Sequence, residues 1–332
     1  MSTPLFEQAT ELKGMIEAAN TILIVPHLNP DGDAIGSALG LAIGLQRVGK
    51  EVTVCCNDLP PRNLRFLPEY NSVKLPRELA DDYTPDLAII VDVNHLPRLG
   101  GAQPFVAAAK QRAIVDHHQL GHDVIEGHLV VHPEYAACAV LVFDLFPMLG
   151  LELDKQNGQC LLTGIVTDTG NFRFPNTDTK SMQTAIQLME LGCSLRMISE
   201  EVFEKKSVNA LKMLSIALSK MQLFDEGEVV VSSLAHEDYM ATGVLDEETE
   251  NIVNEIGRVS TSKAFALFRE PNPGKVRASV RSRGAIDVAA VCYQFGGGGH
   301  ANSSGCTFEM GLDAAMNLMI PALREAVRNS AK

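Results

Sequence analysis

Basic residues are scarce in this chain: 28 Lys and Arg stand against 41 Asp and Glu, a formal net charge of −13 over 332 residues. Long nucleic acid is bound through many cations lying along its phosphates, so the charge argues against that class of partner. A nucleotide or a very short oligonucleotide, with few charges, remains within reach of a local site. Seven cysteines are present, at 55, 56, 138, 160, 193, 292 and 306. None forms a Cys-x-x-Cys pair, and their scatter lacks the spacing of a disulfide framework or a zinc site, which points to reduced, buried thiols. Long apolar runs are missing too, since none approaches the ~18–20 residues of a membrane span. The opening stretch MSTPLFEQATELKGMIEAAN carries acids and an amphipathic pattern where a secretory signal has a basic region and an apolar run. The expectation is a cytoplasmic protein with no membrane partner.

What is there reads as an ordinary globular chain, 46% hydrophobic and 21% charged. Its length exceeds one ordinary core and predicts two domains. In the first half short apolar runs alternate with helical patterns. TILIVP (21–26), Glu51–Cys55, LAIIVD (87–92) and AIVD (113–116) read as buried strands, and Ala34–Val48 as a helix packed through small residues. Such alternation implies an α/β fold, a mostly parallel sheet with helices on both faces. Ligands of such sheets collect at the carboxyl ends of the strands, around a switch in strand order. Polar residues cluster after three of the four strands. Helices are expected near 136–149, 155–167, 179–191 and 195–203, and the polar stretch 200–209 is the candidate linker. Beyond it the pattern gives a helix at 210–223, strands at 228–234, 264–269 and 276–281, helices near 247–257, 286–295 and 312–328, and a Gly-rich turn at 296–299.

The first motif is His27-Leu-Asn-Pro-Asp31-Gly-Asp33, between a strand and a helix. Pro30 and Gly32 force a turn, so the imidazole and both carboxylates can project to one point above the sheet. Imidazole with carboxylates suits manganese, iron or zinc better than an all-oxygen calcium cage, and no Glu follows where an EF-hand needs one. The bland alternative is a polar turn with Asp33 capping the next helix. Asp92 ends the run LAIIVD; a lone Asp there is as readily a turn former. Asp116-His117-His118 follows another strand, where a surface His pair is the rival reading. Asp168 ends an apolar helix just before Gly170, facing the unfavourable end of the helix dipole, a cost that a nearby cation would offset.

Counting donors points to the purpose of the set. One metal takes three or four protein groups, whereas His27, Asp31, Asp33, Asp92, His117 and Asp168 supply two imidazoles and four carboxylates. That inventory fits two divalent ions sharing a carboxylate, an arrangement that activates water and clamps phosphoryl oxygens. A phosphoester or phosphoanhydride substrate follows. In the second half, Phe295-Gly-Gly-Gly-Gly-His300 offers backbone N–H groups to an anion, with a following helix N-terminus expected to add its dipole. Arg281 and Arg283, at a strand end, can pair with phosphate. A flexible poly-Gly linker is the alternative there.

These motifs, in this order, resemble the DHH phosphoesterase superfamily, and within it the nanoRNase/3′-phosphoadenosine-5′-phosphate phosphatase branch, over about residues 5–328. The resemblance implies a DHH metal domain at 1–195, a linker at 196–209 and a smaller α/β DHH-associated substrate-binding domain at 210–332, facing it across a cleft. It implies that His27, Asp31 and Asp92 hold one metal and that Asp33, Asp92, His117 and Asp168 hold the other, with manganese as the ion. It further implies that Asp116 orients His117, that His118 faces the scissile phosphate or leaving group, and that Arg281, Arg283, Gly298, Gly299 and His300 grip the terminal nucleotide. The chain departs from the family pattern at Val93-Asn94-His95, at Ala136-Ala137-Cys138-Ala139 and at Ala301-Asn302-Ser303-Ser304, none of which removes a ligand.

The expected activity is hydrolysis of very short RNA oligonucleotides to mononucleotides, with 3′-phosphoadenosine-5′-phosphate as a second substrate. A linear or cyclic dinucleotide phosphodiesterase is the close rival, and a non-catalytic nucleotide-sensing module the distant one. A homodimer is the assembly left open.

Overall fold

The computed structural model describes residues 4–330, apart from residues 122 and 250 and the side chain of His300. Contacts divide the chain between Lys205 and Lys206 into two compact units. The first unit runs α1 (Leu5–Ala18), β1 (Thr21–Val25), α2 (Gly32–Arg47), β2 (Glu51–Val54), β3 (Leu87–Val91), α3 (Gln103–Ala108), β4 (Gln111–Asp116), β5 (His128–Val131), α4 (Cys138–Leu149), α5 (Lys155–Asp168), α6 (Thr179–Glu190) and α7 (Leu195–Ile198). Its sheet is parallel throughout, in the order β2-β1-β3-β4-β5. Such sheets are buried on both faces, which is why the strands read as continuous apolar runs. Alternate residues feed two cores. Ile22, Ile24, Ile89 and Val115 pack with α1, α2, α4 and α5, while Leu23, Val25, Ile90 and Ile114 face Leu99, Ala102 and Val106. From β1 the chain steps to β2 on one side and then returns to β3 on the other. The strand order therefore reverses between β1 and β3, the place where a ligand crevice opens in open α/β sheets.

α2 lies against α5 almost backbone to backbone. Gly36 is why: a Cβ there would come within 2.4 Å of the Cys160 carbonyl oxygen and 2.9 Å of the Gly164 nitrogen. Gly32 meets Thr167 and Gly40 meets Leu161 and Asn157, so the two helices run in opposite directions. This brings Asp33, in the first turn of α2, beside Asp168, the last residue of α5. The stretch expected as linker, 196–209, is helical over Leu195–Glu204, and Ile198 and Val202 are buried with the first unit's core.

The second unit contains α8 (Val208–Ser219), β6 (Gln222–Phe224), β7 (Val229–Leu234), α9 (His236–Thr242), α10 (Ile252–Ile256), β8 (Ala264–Asn272), β9 (Lys275–Ser282), α11 (Val288–Tyr293), β10 (Gly298–His300), β11 (Ser303–Phe308) and α12 (Leu312–Ser330). Its six strands form one sheet, β10-β11-β9-β8-β7-β6, in which β7 and β8 pair in parallel and the other pairs are antiparallel. The Gly-rich stretch differs from expectation. No helix follows it; Gly298–His300 pairs with Ser303–Gly305 as a β-hairpin. The glycines permit this approach, since a Cβ on Gly297 would lie 2.2 Å from the Gly305 carbonyl oxygen. Among the described residues, no helix is long and apolar enough to cross a membrane.

Because no side chain can fit between α2 and α5, Gly36→Ala should force these helices apart. Overpacking of this kind costs roughly 1–3 kcal/mol. The denaturant midpoint of the variant should fall accordingly, and an unchanged midpoint would refute the close contact.

Candidate metal centre

Six of the residues singled out by the motifs meet at the carboxyl ends of β1, β3 and β4. His27 follows β1 and is buried; its Nδ1–H donates to the Leu28 carbonyl at 2.7 Å, which turns Nε2 toward Asp31 (3.8 Å) and Asp92 (3.5 Å). His117, after β4, is set the same way. Its Nδ1–H donates to the Tyr135 carbonyl at 3.1 Å, and Nε2 faces Asp92 (3.4 Å), Asp168 (3.8 Å) and Asp33 (3.9 Å). A carbonyl partner on one ring nitrogen fixes the tautomer and presents the other nitrogen, as metal-bound histidines require.

Asp92 sits between the two imidazoles, with Oδ2 toward His27 and Oδ1 toward His117. Its backbone is left-handed, φ 60°. That conformation is uncommon for a non-glycine residue and is retained where surrounding structure enforces it. Here the Asp92 N–H donates to the Val115 carbonyl at 3.0 Å, pinning the turn to β4. Asp92 is 2% exposed, and its Oδ1 is buried without a hydrogen-bond partner.

The two acids of the first motif do different work, and the cap falls on the other acid from the one in the polar-turn alternative. Asp31, not Asp33, caps α2, accepting from the N–H groups of Asp33 and Ala34 at 3.1 Å each. Asp33 is fully enclosed and accepts instead from Cys138 N (2.6 Å) and Ala139 N (2.9 Å) at the start of α4. Ala137 offers α4 no side-chain cap, so Asp33 supplies the acceptor from a distance. Asp168 is held by Asn176, whose amide donates to its backbone oxygen (3.1 Å), to its Oδ2 (3.4 Å) and to the Ala136 carbonyl (2.9 Å).

Crowding of like charges shows in the ionisation of these groups. Burial, then the charge of Asp92, pushes Asp33 up to about 7. Burial and the charge of Asp33 push Asp168 well above the carboxylate range. Burial opposes protonation of His27 and His117, but their contacts with Asp92 and the surrounding carboxylates outweigh it, raising them to about 9 and about 11. The same two imidazoles outweigh burial at Asp92 and hold it below the usual range.

Donor atoms of His27, Asp31 and Asp92 all lie within 4.8 Å of one another, as do those of Asp33, His117 and Asp168 and those of Asp92, His117 and His118. The Nε2-to-carboxylate separations of 3.4–3.9 Å are longer than hydrogen bonds and suit donors around a shared cation. Together with the orphaned Asp92 Oδ1, this chemistry fits divalent metal.

Asp116 corrects another expectation: it holds His118, not His117. Its Oδ1 accepts from His118 Nδ1 at 2.8 Å and from His118 N at 3.1 Å. Motif reading missed Asn94 and Asn176, whose only signal was nearness in sequence to Asp92 and Asp168, and Tyr135, which acts through a carbonyl that no side-chain motif marks. Arg98 was missed as well. Its carbonyl accepts from Leu28 N at 2.7 Å, and its charge opposes that of His27.

In the second unit, Arg281 ends β9 and donates to the Val280 carbonyl at 3.0 Å. Arg283 donates to the carbonyls of Gly257 (2.7 Å) and Ser262 (3.4 Å) and lies over the Phe265 ring. Gly298 and Gly299 lie in β10, and the side chain of His300 is outside the described residues.

A parallel sheet that gathers imidazoles and carboxylates at its switch point puts the chain among α/β proteins built around a candidate metal centre. Residues 21–165 match the DHH family, N-terminal domain, and residues 226–329 match the DHHA1 domain. The chain is 33% identical over 310 residues, 92% of its length and 89% of the other's, to the bifunctional oligoribonuclease and PAP phosphatase NrnA of Thermus thermophilus. It is 24% identical over 308 residues to the cyclic-di-AMP phosphodiesterase PdeA of Listeria monocytogenes, which spans 88% of this chain and 45% of that protein. A solved exopolyphosphatase-related protein from Bacteroides fragilis is similar with a TM-score of 0.90, at 26% identity over 96% of each chain. The chain belongs to the DHH family, with a DHHA1 domain following the DHH domain.

Asp92 is the carboxylate common to both histidines, so Asp92→Asn should reduce bound divalent metal and nearly abolish turnover while far-UV circular dichroism stays unchanged. Full metal content with full activity would remove Asp92 from the centre.

Proposed function

We propose that this chain is a metal-dependent phosphodiesterase that hydrolyses very short RNA oligonucleotides to mononucleotides and also dephosphorylates 3′-phosphoadenosine-5′-phosphate. The observation that carries the reading is Asp92, one carboxylate shared between the triads His27–Asp31–Asp92 and, through His117, Asp33–His117–Asp168. In this reading His27, Asp31 and Asp92 hold one cation, and Asp33, Asp92, His117 and Asp168 the second. A mixed imidazole and carboxylate set suits manganese. When bound, such a pair stabilises phosphoryl oxygens as a Lewis acid and lowers the pKa of the attacking water.

The protein's own groups supply the rest. Asp116 accepts the Nδ1–H of His118, so the basic nitrogen of that ring is Nε2. In its protonated form His118 gives the Nε2 proton to the leaving oxygen as the phosphorus–oxygen bond breaks, and Asp116 stabilises the imidazolium in the meantime. In the second unit Arg281, Arg283, Gly298, Gly299 and His300 contact the terminal nucleotide, Arg283 while bracing the carbonyls of Gly257 and Ser262. The Thermus relative, named for both activities, supports the two activities proposed here. Seven free, buried thiols suit a reducing cytoplasm. Cyclic or linear dinucleotide hydrolysis is the second reading, favoured by the likeness to the Listeria protein.

His118→Ala should retain both metals and lose rate by ~10²–10⁴-fold, the usual worth of a positioned acid or base. Loss of a metal would instead make His118 a ligand.

A net charge of −13 gives extra phosphates repulsion without contacts. Catalytic efficiency should therefore fall steeply as RNA lengthens beyond a few nucleotides. The test is kcat/KM at fixed salt across an RNA length series, beside a cyclic dinucleotide and 3′-phosphoadenosine-5′-phosphate. Equal or rising efficiency toward long RNA would overturn the short-substrate reading, and a preference for the cyclic dinucleotide would put the second reading first.

A further inference from the structure

Asn94 stands two residues beyond Asp92. It is buried, 5% exposed, and its side chain is directed at the catalytic dyad. The Asn94 Nδ2 group donates to Asp116 Oδ2 at 2.7 Å and reaches the carbonyls of His118 (3.4 Å) and Gln119 (3.3 Å). Its own backbone is fixed, because its carbonyl accepts from Ile125 N at 2.9 Å. The amide orientation follows from chemistry: turned over, its oxygen would face a carboxylate oxygen at 2.7 Å.

Asp116 is wholly buried. Among the described residues, its Oδ1 takes the two donors of His118 and its Oδ2 takes Asn94. Asn94 therefore fixes the rotation of the carboxylate, and that carboxylate in turn fixes the tautomer and direction of the His118 ring. The metal-facing His117 is anchored separately, on the Tyr135 carbonyl.

We propose that Asn94 is a positioning residue that acts on catalysis through Asp116 and His118 and leaves the metal-holding residues alone. The proposal rests on the reading of His118 as the proton donor. Without the amide, a buried carboxylate oxygen loses its donor, and Asp116 is free to rotate toward another, carrying the imidazole with it. Groups that orient an active-site ligand from behind are typically worth ~10–100-fold.

The test is a double-mutant cycle with Asn94→Ala, His118→Ala and the combination, with kcat, KM and bound metal measured on each full-length protein. Asn94→Ala should lower kcat by ~10–100-fold, with KM and metal content near those of the unmutated chain. In the His118→Ala background it should have almost no further effect, because residues that act as a unit are not additive. Asn94→Leu, similar in size and lacking the donor, takes its place if the alanine variant does not fold. An unchanged kcat, a lost metal, or an effect of Asn94 that persists in full without His118 each overturns the proposal. A His118→Ala enzyme with unchanged rate marks a different failure, that of the general-acid reading itself.

Discussion

Four carboxylates and two imidazoles are packed within a few ångströms of one another at the switch point of the first unit's sheet, and their mutual charge is the constraint the local structure answers to. Even with both imidazoles protonated, four ionised carboxylates leave two negative charges over. The elevated His27 and His117 and the raised Asp33 and Asp168 express that excess as an uptake of protons. Cations at the same place would relieve it without protons. The surroundings provide only partial relief. Asp33 has the N-terminus of α4, and Asp31 caps α2, but Asp92 Oδ1 has no hydrogen bond among the described residues.

Bringing these groups together demands tight backbone approach, and the glycines of α2 supply it. Because Gly36 lets α2 rest on the backbone of α5, Asp33 and Asp168 arrive from two helix ends that would otherwise be held apart by side chains. A Cβ on Gly164 would itself strike Asp33 Oδ1 at 2.6 Å. The left-handed Asp92 serves the same end from the strand side: it turns the carboxylate inward while its N–H stays on β4. Packing, backbone strain and the site are thus one arrangement, in which loosening the helix pair also misplaces two carboxylates.

The strands β1, β3 and β4 and the helices around them were legible because full burial writes continuous apolar runs and small-residue helical periodicity into sequence. β2 was read despite its four residues because it alternates after a helix, whereas β5, HLVV, is only half buried at its start and was missed, and β6 was absorbed into the pattern of the preceding helix. Glycine hid β10 and β11, since its usual meaning is a turn and only the close pairing with Gly305 reveals a hairpin. In the site, side chains that carry charge could be read from motifs. Which acid caps which helix could not, since Asp33 bonds to residues more than a hundred positions away. The partner of Asp116 was misread for a related reason: adjacency in sequence does not say which of two consecutive imidazoles turns back toward the strand.

The residues just behind the clustered carboxylates fit this picture. Ala136-Ala137-Cys138-Ala139 begins a helix without a hydroxyl cap, and the buried, uncapped N–H groups of Cys138 and Ala139 become the donors that hold Asp33. A Ser or Thr side chain at Ala137 would compete with Asp33 for the same N–H groups, and a carboxylate so displaced would swing away from His117. Asn94 offers an amide that donates to a buried acid, where alanine would leave Asp116 Oδ2 bare and a second acid would set carboxylate against carboxylate. A change at Ala137 would act on Asp33 itself, and one at Asn94 on Asp116 and through it on His118, so the start of α4 and a single amide beyond β3 set the directions of two buried carboxylates.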